Sequence, residues 1–288
     1  MTKHSIPLRR KAIALGAAVL VALAAFPASA ATGSPSATTR TVTNAEHDLV
    51  FHVVDGRSPA LVLDAGGGLS SSYWKDLAPR LARTTGRKVI TYDRAGEGRS
   101  DEISGPWRIE SAVSDLEAGL RALSETRKVV LVSHSIAGEV ATTFAAKNPG
   151  RVAGAVLVDA NVPDFFSDEM LTAFAPVVEQ QRADLLAQPS TKKNRQLLAV
   201  MADFAPTHRA YNKLAWPNTV PVTVIVTSGT PFDAPEAARL WRDAQARFAQ
   251  AGPNRKHVVA ENTTHEGIVT ERPDVVAGAV EDVLKAVR

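Results

Sequence analysis

A serine hydroxyl is a poor nucleophile at ordinary pH and needs a base within hydrogen-bond reach to take its proton during attack. Ser135 is placed for such chemistry. It stands in residues 129–138, VVLVSHSIAG, where four apolar residues, 129–132, have the composition of a buried strand and a small, helix-compatible run, 136–146, follows. Its neighbours two away on either side, Ser133 and Ala137, are small, as a strand-to-helix turn requires when it is too sharp for larger side chains to pass. Such a turn lifts one hydroxyl over the sheet edge. It also leaves the amide of Ile136 at a helix N-terminus, where partial positive charge can meet a developing oxyanion. The chemistry this allows is nucleophilic attack on a carbonyl. The plainer reading is a serine that caps the helix at Ile136, since neither flank is the usual glycine of such a turn.

The elements that must hold this turn can be read from apolar periodicity. Short runs at 49–54, 60–63, 88–92, 128–132, 154–158, 221–227 and 256–260 read as strands. Between them, Ile109, Val113, Leu116, Leu120 and Leu123 share one helical face, as do Leu240, Ala244 and Phe248, and then Val276, Val280, Val283 and Val287. Strands alternating with helices predict a mostly parallel sheet covered on both sides. The interval 161–217 breaks the rhythm. It offers clustered apolar residues (Phe165, Phe166, Met170, Leu171, Phe174, then Leu197, Leu198, Met201, Phe204) but no strand, and it is too long for an ordinary connection. It reads as a small helical cap inserted between two late strands.

The chain opens with Lys3, Arg9, Arg10 and Lys11, continues through fifteen uncharged, mostly apolar residues at 12–26, and reaches Ala28-Ser29-Ala30. This pattern predicts a signal peptide, residues 1–30, cleaved after Ala30 and leading to a secreted protein, because the apolar run is short for a membrane span. Arg9-Arg10 leaves the general and twin-arginine export routes both open. Residues 31–40, rich in Ala, Thr, Ser, Pro and Gly, read as a flexible linker, with one folded domain over 41–288. The formal charge of +3 is misleading. The first thirty residues hold four of the 33 Lys and Arg and none of the 30 Asp and Glu, so the remainder is close to neutral. Nothing in it argues for a nucleic-acid partner, or for stable membrane association after processing. With no cysteine, disulfides and thiolate chemistry are excluded, and stability in an exported setting rests on a large core.

The order of parts resembles the α/β-hydrolase family over essentially the whole chain beyond residue 40. The resemblance is carried by DAGGG at 64–68, YDRAGEGRSD at 92–101, the turn at Ser135, VLVDA at 156–160 and TTHE at 263–266. It implies a serine, a histidine and an acid acting in relay, of serine hydrolase or esterase type. His265, between the last predicted strand with its short polar loop and the final helix, stands where the family has its base. His4 falls in the signal peptide, His47, His52 and His257 in or beside strands, and His208 in the cap. His134, inside the turn, should point away from the nucleophile and pack structurally. The acid has two candidates. Asp159, ending the strand at 154–158, is preferred. Asp233, after the strand at 221–227, is the alternative, although Asp-Ala-Pro-Glu with Glu236 three residues on also reads as a helix N-cap with its capping box.

Two donors are needed for an oxyanion hole. Ile136 NH is one, and alignment of Trp74 with the family's aromatic places Gly67 as the other, in a triple glycine whose backbone can approach substrate closely. A phosphate loop is excluded because Gly-Lys-Ser/Thr does not follow. The charged patch Asp93, Arg94, Arg99 and Asp101 is expected to brace loops beneath the site. Trp74, Phe165, Phe166 and Trp216 are candidate substrate-binding residues, with Tyr73, Trp107 and Tyr211 as further aromatics that could line an apolar pocket or simply form core. No His-x-x-x-His or Glu-x-x-His pair and no strand-linked Gly-x-Gly-x-x-Gly occurs, so no metal and no cofactor is expected. The expectation is an exported hydrolase of a carboxylic ester, lactone or thioester acting on a small-molecule acyl substrate. The alternatives are a serine-dependent perhydrolase or lyase, and a non-catalytic small-molecule-binding protein that keeps the pocket.

Overall fold

The computed structural model describes residues 37–287. The expected signal peptide, its cleavage site and most of the expected linker lie outside the described residues. Eight strands form one sheet: β1 (Thr38–Asn44), β2 (His47–Val54), β3 (Arg57–Asp64), β4 (Arg87–Asp93), β5 (Val129–His134), β6 (Val152–Val158), β7 (Val222–Gly229) and β8 (Arg255–Thr264). Their spatial order is β1-β2-β4-β3-β5-β6-β7-β8. The pairs β1–β2 and β2–β4 are antiparallel and all others parallel, so the expected mostly parallel sheet is present with an antiparallel edge.

The central strands are apolar on both faces because helices cover both. In β5, Val129 and Leu131 join the layer formed by α2 (Ile109–Ala122), α3 (Ala137–Lys147) and α7 (Pro235–Gln250), whereas Val130 and Val132 join the layer formed by α1 (Leu77–Thr85), α8 (Ile268–Glu271) and α9 (Pro273–Ala286). Ala60 and Val62 of β3 divide from Leu61 and Leu63 in the same way. Period-two alternation between two dry faces therefore produces the continuous apolar runs seen in the sequence.

Two boundaries differ from expectation. The linker was to reach Arg40, yet β1 begins at Thr38 and pairs with β2 from Thr38↔Val53 to Asn44↔His47. Its residues, TTRTVTN, bury only Val42, so hydrophobic patterning could not signal it; main-chain pairing and β-branched threonines hold it. The last strand runs to Thr264 instead of ending at 260, so no loop separates it from His265.

Between β6 and β7 the cap comprises α4 (Asp168–Leu186), α5 (Lys192–Ala202) and α6 (Phe204–Asn212). Ser167 caps α4 by accepting from the amide of Met170 at 3.1 Å, and Thr191 caps α5 by accepting from that of Asn194 at 3.1 Å. The carboxyl ends of β3, β5, β6 and β8 converge under this cap, which is where an open parallel sheet offers a crevice.

Candidate active site

The turn after β5 has the strained backbone that its small neighbours permit. Ser135 has φ 57°, in the left-handed region that non-glycine residues rarely occupy. Its carbonyl accepts from the amides of Gly138 (3.0 Å) and Asn161 (2.8 Å), which ties the start of α3 to the loop after β6. Ser133 and Ala137 are buried, and a Cβ on Gly138 would collide with the Asn161 carbonyl. Small residues here are thus a packing requirement, as the sequence suggested. The side chain of Ser135 does not cap α3, whose N-cap is Ile136 without a side-chain hydrogen bond.

Ser135 and His265 are brought together from 130 residues apart, with Ser135 Oγ 3.0 Å from His265 Nε2. On the far side of the ring, Nδ1–H donates to Asp159 Oδ2 at 2.6 Å. Asp159 is fully buried and also has a positive φ, 43°. Its Oδ1 accepts from Trp241 Nε1–H (2.9 Å) and the Thr227 amide (3.2 Å), and its Oδ2 from the Thr227 hydroxyl (2.7 Å). Burial alone would push this carboxyl up. The hydrogen bond and charge of His265, with the Trp241 and Thr227 bonds, outweigh it and hold the pKa below the usual carboxylate value. These bonds also fix the imidazole tautomer, leaving Nε2 free to accept the serine proton.

Asp233 is not part of this arrangement. It is exposed and makes no hydrogen bond to the His265 ring. Nor does it cap α7: the helix starts at Pro235 with Ala234 as its N-cap, and Glu236 pairs instead with Arg239 at 2.5 Å. The proline occupies the first helical position, so the cap moves one residue past Asp233.

Gly66 and Gly67 lie against the Ser135 turn. A Cβ on Gly66 would come within 3.1 Å of Ser135 Cβ, and one on Gly67 within 3.6 Å of Ile136 Cγ2. Among the described residues, the amides of Gly67 and Ile136 have no internal acceptor, so both remain available as donors. The loop is braced from beneath. Arg94, wholly buried, donates to Asp64, to the Ala65 carbonyl and to the Gly66 carbonyl, and Glu97 accepts from the amide of Gly68 at 2.7 Å. Asp93 accepts from the amides of Ser71 (2.7 Å) and Arg99 (2.8 Å), and Asp101 from that of Asp48 (2.8 Å). The bracing expected of the charged patch is present. Glu97 and Asp64 belong to it too; both stand in the motifs at 64–68 and 92–101, but no bracing role was expected of them.

Of the four candidate substrate-binding aromatics, Phe165 and Phe166 meet edge-on at 5.2 Å, whereas Trp74 and Trp216 lie apart from them. Phe165 reaches His265 only through Trp241. It packs edge-on to Trp241 (5.0 Å) and stacks with Phe232 (5.5 Å), and Trp241 in turn is edge-on to His265 at 6.2 Å. Phe166 lies under the cap, stacked on His208 at 4.0 Å. Trp74 is buried in the opposite layer, with α1 and α9. It borders a cleft of about 420 Å3 shared with Val54, Lys75 and Arg99, and the lining of that cleft includes neither Ser135 nor His265. Trp216 donates to Val220 O (2.8 Å), and its carbonyl accepts from Arg255, the first residue of β8, which places it at the amino ends of β7 and β8, away from the site. Of the further aromatics, Trp107 is buried core and Tyr211 ties α6 to α3. Trp74 and Trp216 are therefore core. Aromatic residue type alone could not separate them from Phe165.

His134 packs structurally, as expected, but against the His265 segment, which was not foreseen. It is buried, but its ring lies 4.6 Å from that of His265 and its Nε2–H donates to the His265 carbonyl at 2.9 Å. Among the described residues no cluster of three or more His, Cys, Asp or Glu could hold a metal ion, and no helix is long and apolar enough to cross a membrane.

Comparison with known proteins agrees with this architecture. The model of the alpha/beta hydrolase family matches residues 61–279. The chain is 25% identical over 223 residues to the protein YqjL of Bacillus subtilis, covering 77% of this chain and 82% of that one. It is 37% identical over 126 residues to a non-heme chloroperoxidase of Streptomyces lividans, though this spans only 43% of the chain and 45% of the relative. Among solved structures, a thermophilic esterase from Thermogutta terrifontis superposes with a TM-score of 0.62 at 24% identity, over 88% of this chain and 99% of that one, a likeness of fold.

Proposed function

The chain belongs to the alpha/beta hydrolase family, and on that premise we propose that it is an exported serine hydrolase that cleaves a carboxylic ester, lactone or thioester through an acyl-enzyme on Ser135. The observation that carries the reading is the unbroken line Ser135 Oγ, His265 Nε2, His265 Nδ1, Asp159 Oδ2, with links of 3.0 and 2.6 Å. Ser135 attacks the carbonyl carbon while His265 Nε2 takes the hydroxyl proton. Asp159 stabilises the imidazolium so formed and keeps its ring oriented. The negative charge arriving on the carbonyl oxygen meets the amides of Gly67 and Ile136, which have no other acceptor to give up. His265 then passes its proton to the departing alcohol or thiol. Water, deprotonated by the same nitrogen, releases the acid and restores Ser135.

The apolar side chains about the relay, Ile136 beside Ser135 and Trp241 edge-on to His265, favour an uncharged acyl group. A fluorophosphonate should label the purified protein, and Ser135→Ala should abolish labelling together with hydrolysis of p-nitrophenyl esters. A folded but unlabelled wild type would overturn the proposal in favour of a binding protein. Export is tested separately: protein recovered from culture medium should begin at Ala31.

A further inference from the structure

His134 immediately precedes the nucleophile, yet it takes no part in the proton transfers described above. Its tautomer is set by geometry. A carbonyl oxygen only accepts, so the 2.9 Å contact with His265 O requires the proton on Nε2. The other nitrogen, Nδ1, is buried and has no partner, and it faces Gly66, where a Cβ would approach it to 2.9 Å. A buried acceptor without a donor costs stability, and a phenylalanine would fill the same space without that cost. What histidine adds is the bond from Nε2 to the backbone of the base.

A second side chain repeats the arrangement. Tyr73 stacks on the opposite side of His134 at 4.8 Å, and its hydroxyl donates to the carbonyl of Glu266 at 3.2 Å. Two successive carbonyls, of His265 and Glu266, are therefore each held by a ring from a different loop. Three rings stand in a row, Tyr73, His134 and His265, with interplanar angles of 29° and 36° between neighbours. Tyr73 follows the Gly66–Gly68 loop, His134 belongs to the serine turn, and His265 carries the base. The stack joins the three segments whose relative placement sets the Ser135–His265 distance.

We propose that His134 and Tyr73 are positioning residues that clamp the His265 segment, holding the imidazole in line with Ser135 Oγ through the His265 and Glu266 carbonyls. The inference rests on the serine-hydrolase reading, and it adds to Ser135, His265 and Asp159 a pair that touches no substrate atom. The groups facing these rings are Asp159 beneath His265, Glu266 and Glu271 on the base segment, and Arg94 behind the glycine loop. Burial, then the neighbouring His265, depress His134 to about 3, so the ring stays neutral and positive charge forms only on His265 during turnover.

Glutamine provides the conservative control, because its side-chain amide nitrogen reaches the position of a histidine Nε2 while phenylalanine keeps only the ring. His134→Phe should lower kcat by about 10- to 100-fold with KM little changed, the effect expected when a catalytic group is displaced by a fraction of an ångström to an ångström. His134→Gln should recover much of that loss, and Tyr73→Phe, which keeps the stack, should show a smaller loss of the same kind. A readout that does not need turnover is the low-field proton resonance of His265 Nδ1–H. It should be sharp in wild type and in Ser135→Ala, broadened in His134→Phe, and restored in His134→Gln. Equal kcat and an equally sharp resonance in His134→Phe and wild type would overturn the clamp, as would a loss in His134→Phe that glutamine does not relieve. Failure of the hydrolase reading is seen separately, in absent fluorophosphonate labelling with the resonance pattern intact.

Discussion

The carboxyl end of the sheet and the cap above it are built from opposite materials. Around Ser135 the orienting groups are buried or half-buried and joined by hydrogen bonds. Asp159 alone receives hydrogen bonds from a strand hydroxyl, a strand amide, an indole and an imidazole. The cap helices bury little: Met170, Leu171 and Val178 in α4, Gln196 alone in α5, and His208 and Tyr211 in α6. They are held instead by polar ties. His208 on α6 pairs with Glu139 on α3 at 3.0 Å, Lys192 reaches the carbonyls of Gly98 and Ser100, and Arg195 pairs with Glu102 through two 2.7 Å contacts. A reaction centre needs its atoms fixed to fractions of an ångström, whereas a cover that selects substrate can be fastened at a few points. On the proposed function, chemistry would rest on the buried network and specificity on the more lightly attached layer.

The sharpest test of this contrast sets two aspartates against each other. Asp159→Asn should lower kcat by about 10^4-fold, because the amide no longer stabilises the imidazolium or fixes its tautomer. Asp233→Asn should leave ester hydrolysis unchanged. The reverse result would move the acid to the strand β7 side and break the comparison at its centre.

The next largest effect concerns stability. His208 Nδ1–H donates to Phe204 O (2.7 Å) and its Nε2 lies 3.0 Å from Glu139 Oε1, a buried imidazole–carboxyl pair in which Glu139 favours the charged ring. His208→Phe preserves the stack on Phe166 but leaves Glu139 uncompensated, and should cost about 3–5 kcal/mol in denaturant unfolding, the usual penalty for removing one partner of a buried pair. A loss within experimental error would mean that the cap does not depend on this tie.

The same pair predicts a pH dependence. Burial opposes the charge on His208, but Glu139 more than offsets it and the folded pKa is raised. The stabilisation is then fully present below the unfolded histidine pKa near 6.5 and is lost as pH rises through the folded value. The Tm difference between wild type and Glu139→Gln should be greatest in mild acid and shrink toward alkaline pH; a difference that grows with pH would reverse the assignment. Smallest of all, Arg195→Ala should lower Tm only slightly, since Arg195 and Glu102 are solvent-exposed and such a pair contributes least of the cap's ties.

Much of this was legible beforehand, for identifiable reasons. The seven strands that bury apolar side chains announced themselves, and β1 did not, because an edge strand of threonines is held by its backbone. Ser135 was legible because its turn demands small neighbours, a local steric rule that leaves a local trace. Asp159 and Asp233 could not be separated with assurance, since each follows a strand whose carboxyl end lies at the same edge. Trp241 and Thr227, which decide between them, look in sequence like one aromatic of a helical face and one β-branched residue of a strand. His134 read as filler, because its contact with His265 crosses 131 residues of chain.

What the sequence determined alone was whatever depends on neighbours along the chain: the alternation of strands and helices, the tight turn at Ser135, and the long interval that became the cap. What only the tertiary structure decided was partnership. Which carboxylate meets the imidazole, which aromatic faces the site, and which histidine braces another are settled by how twisted strands bring distant residues to one end of the sheet. Hydrogen bonds of 2.6 to 3.0 Å are conditions on space, and no pattern of spacing along a chain encodes them.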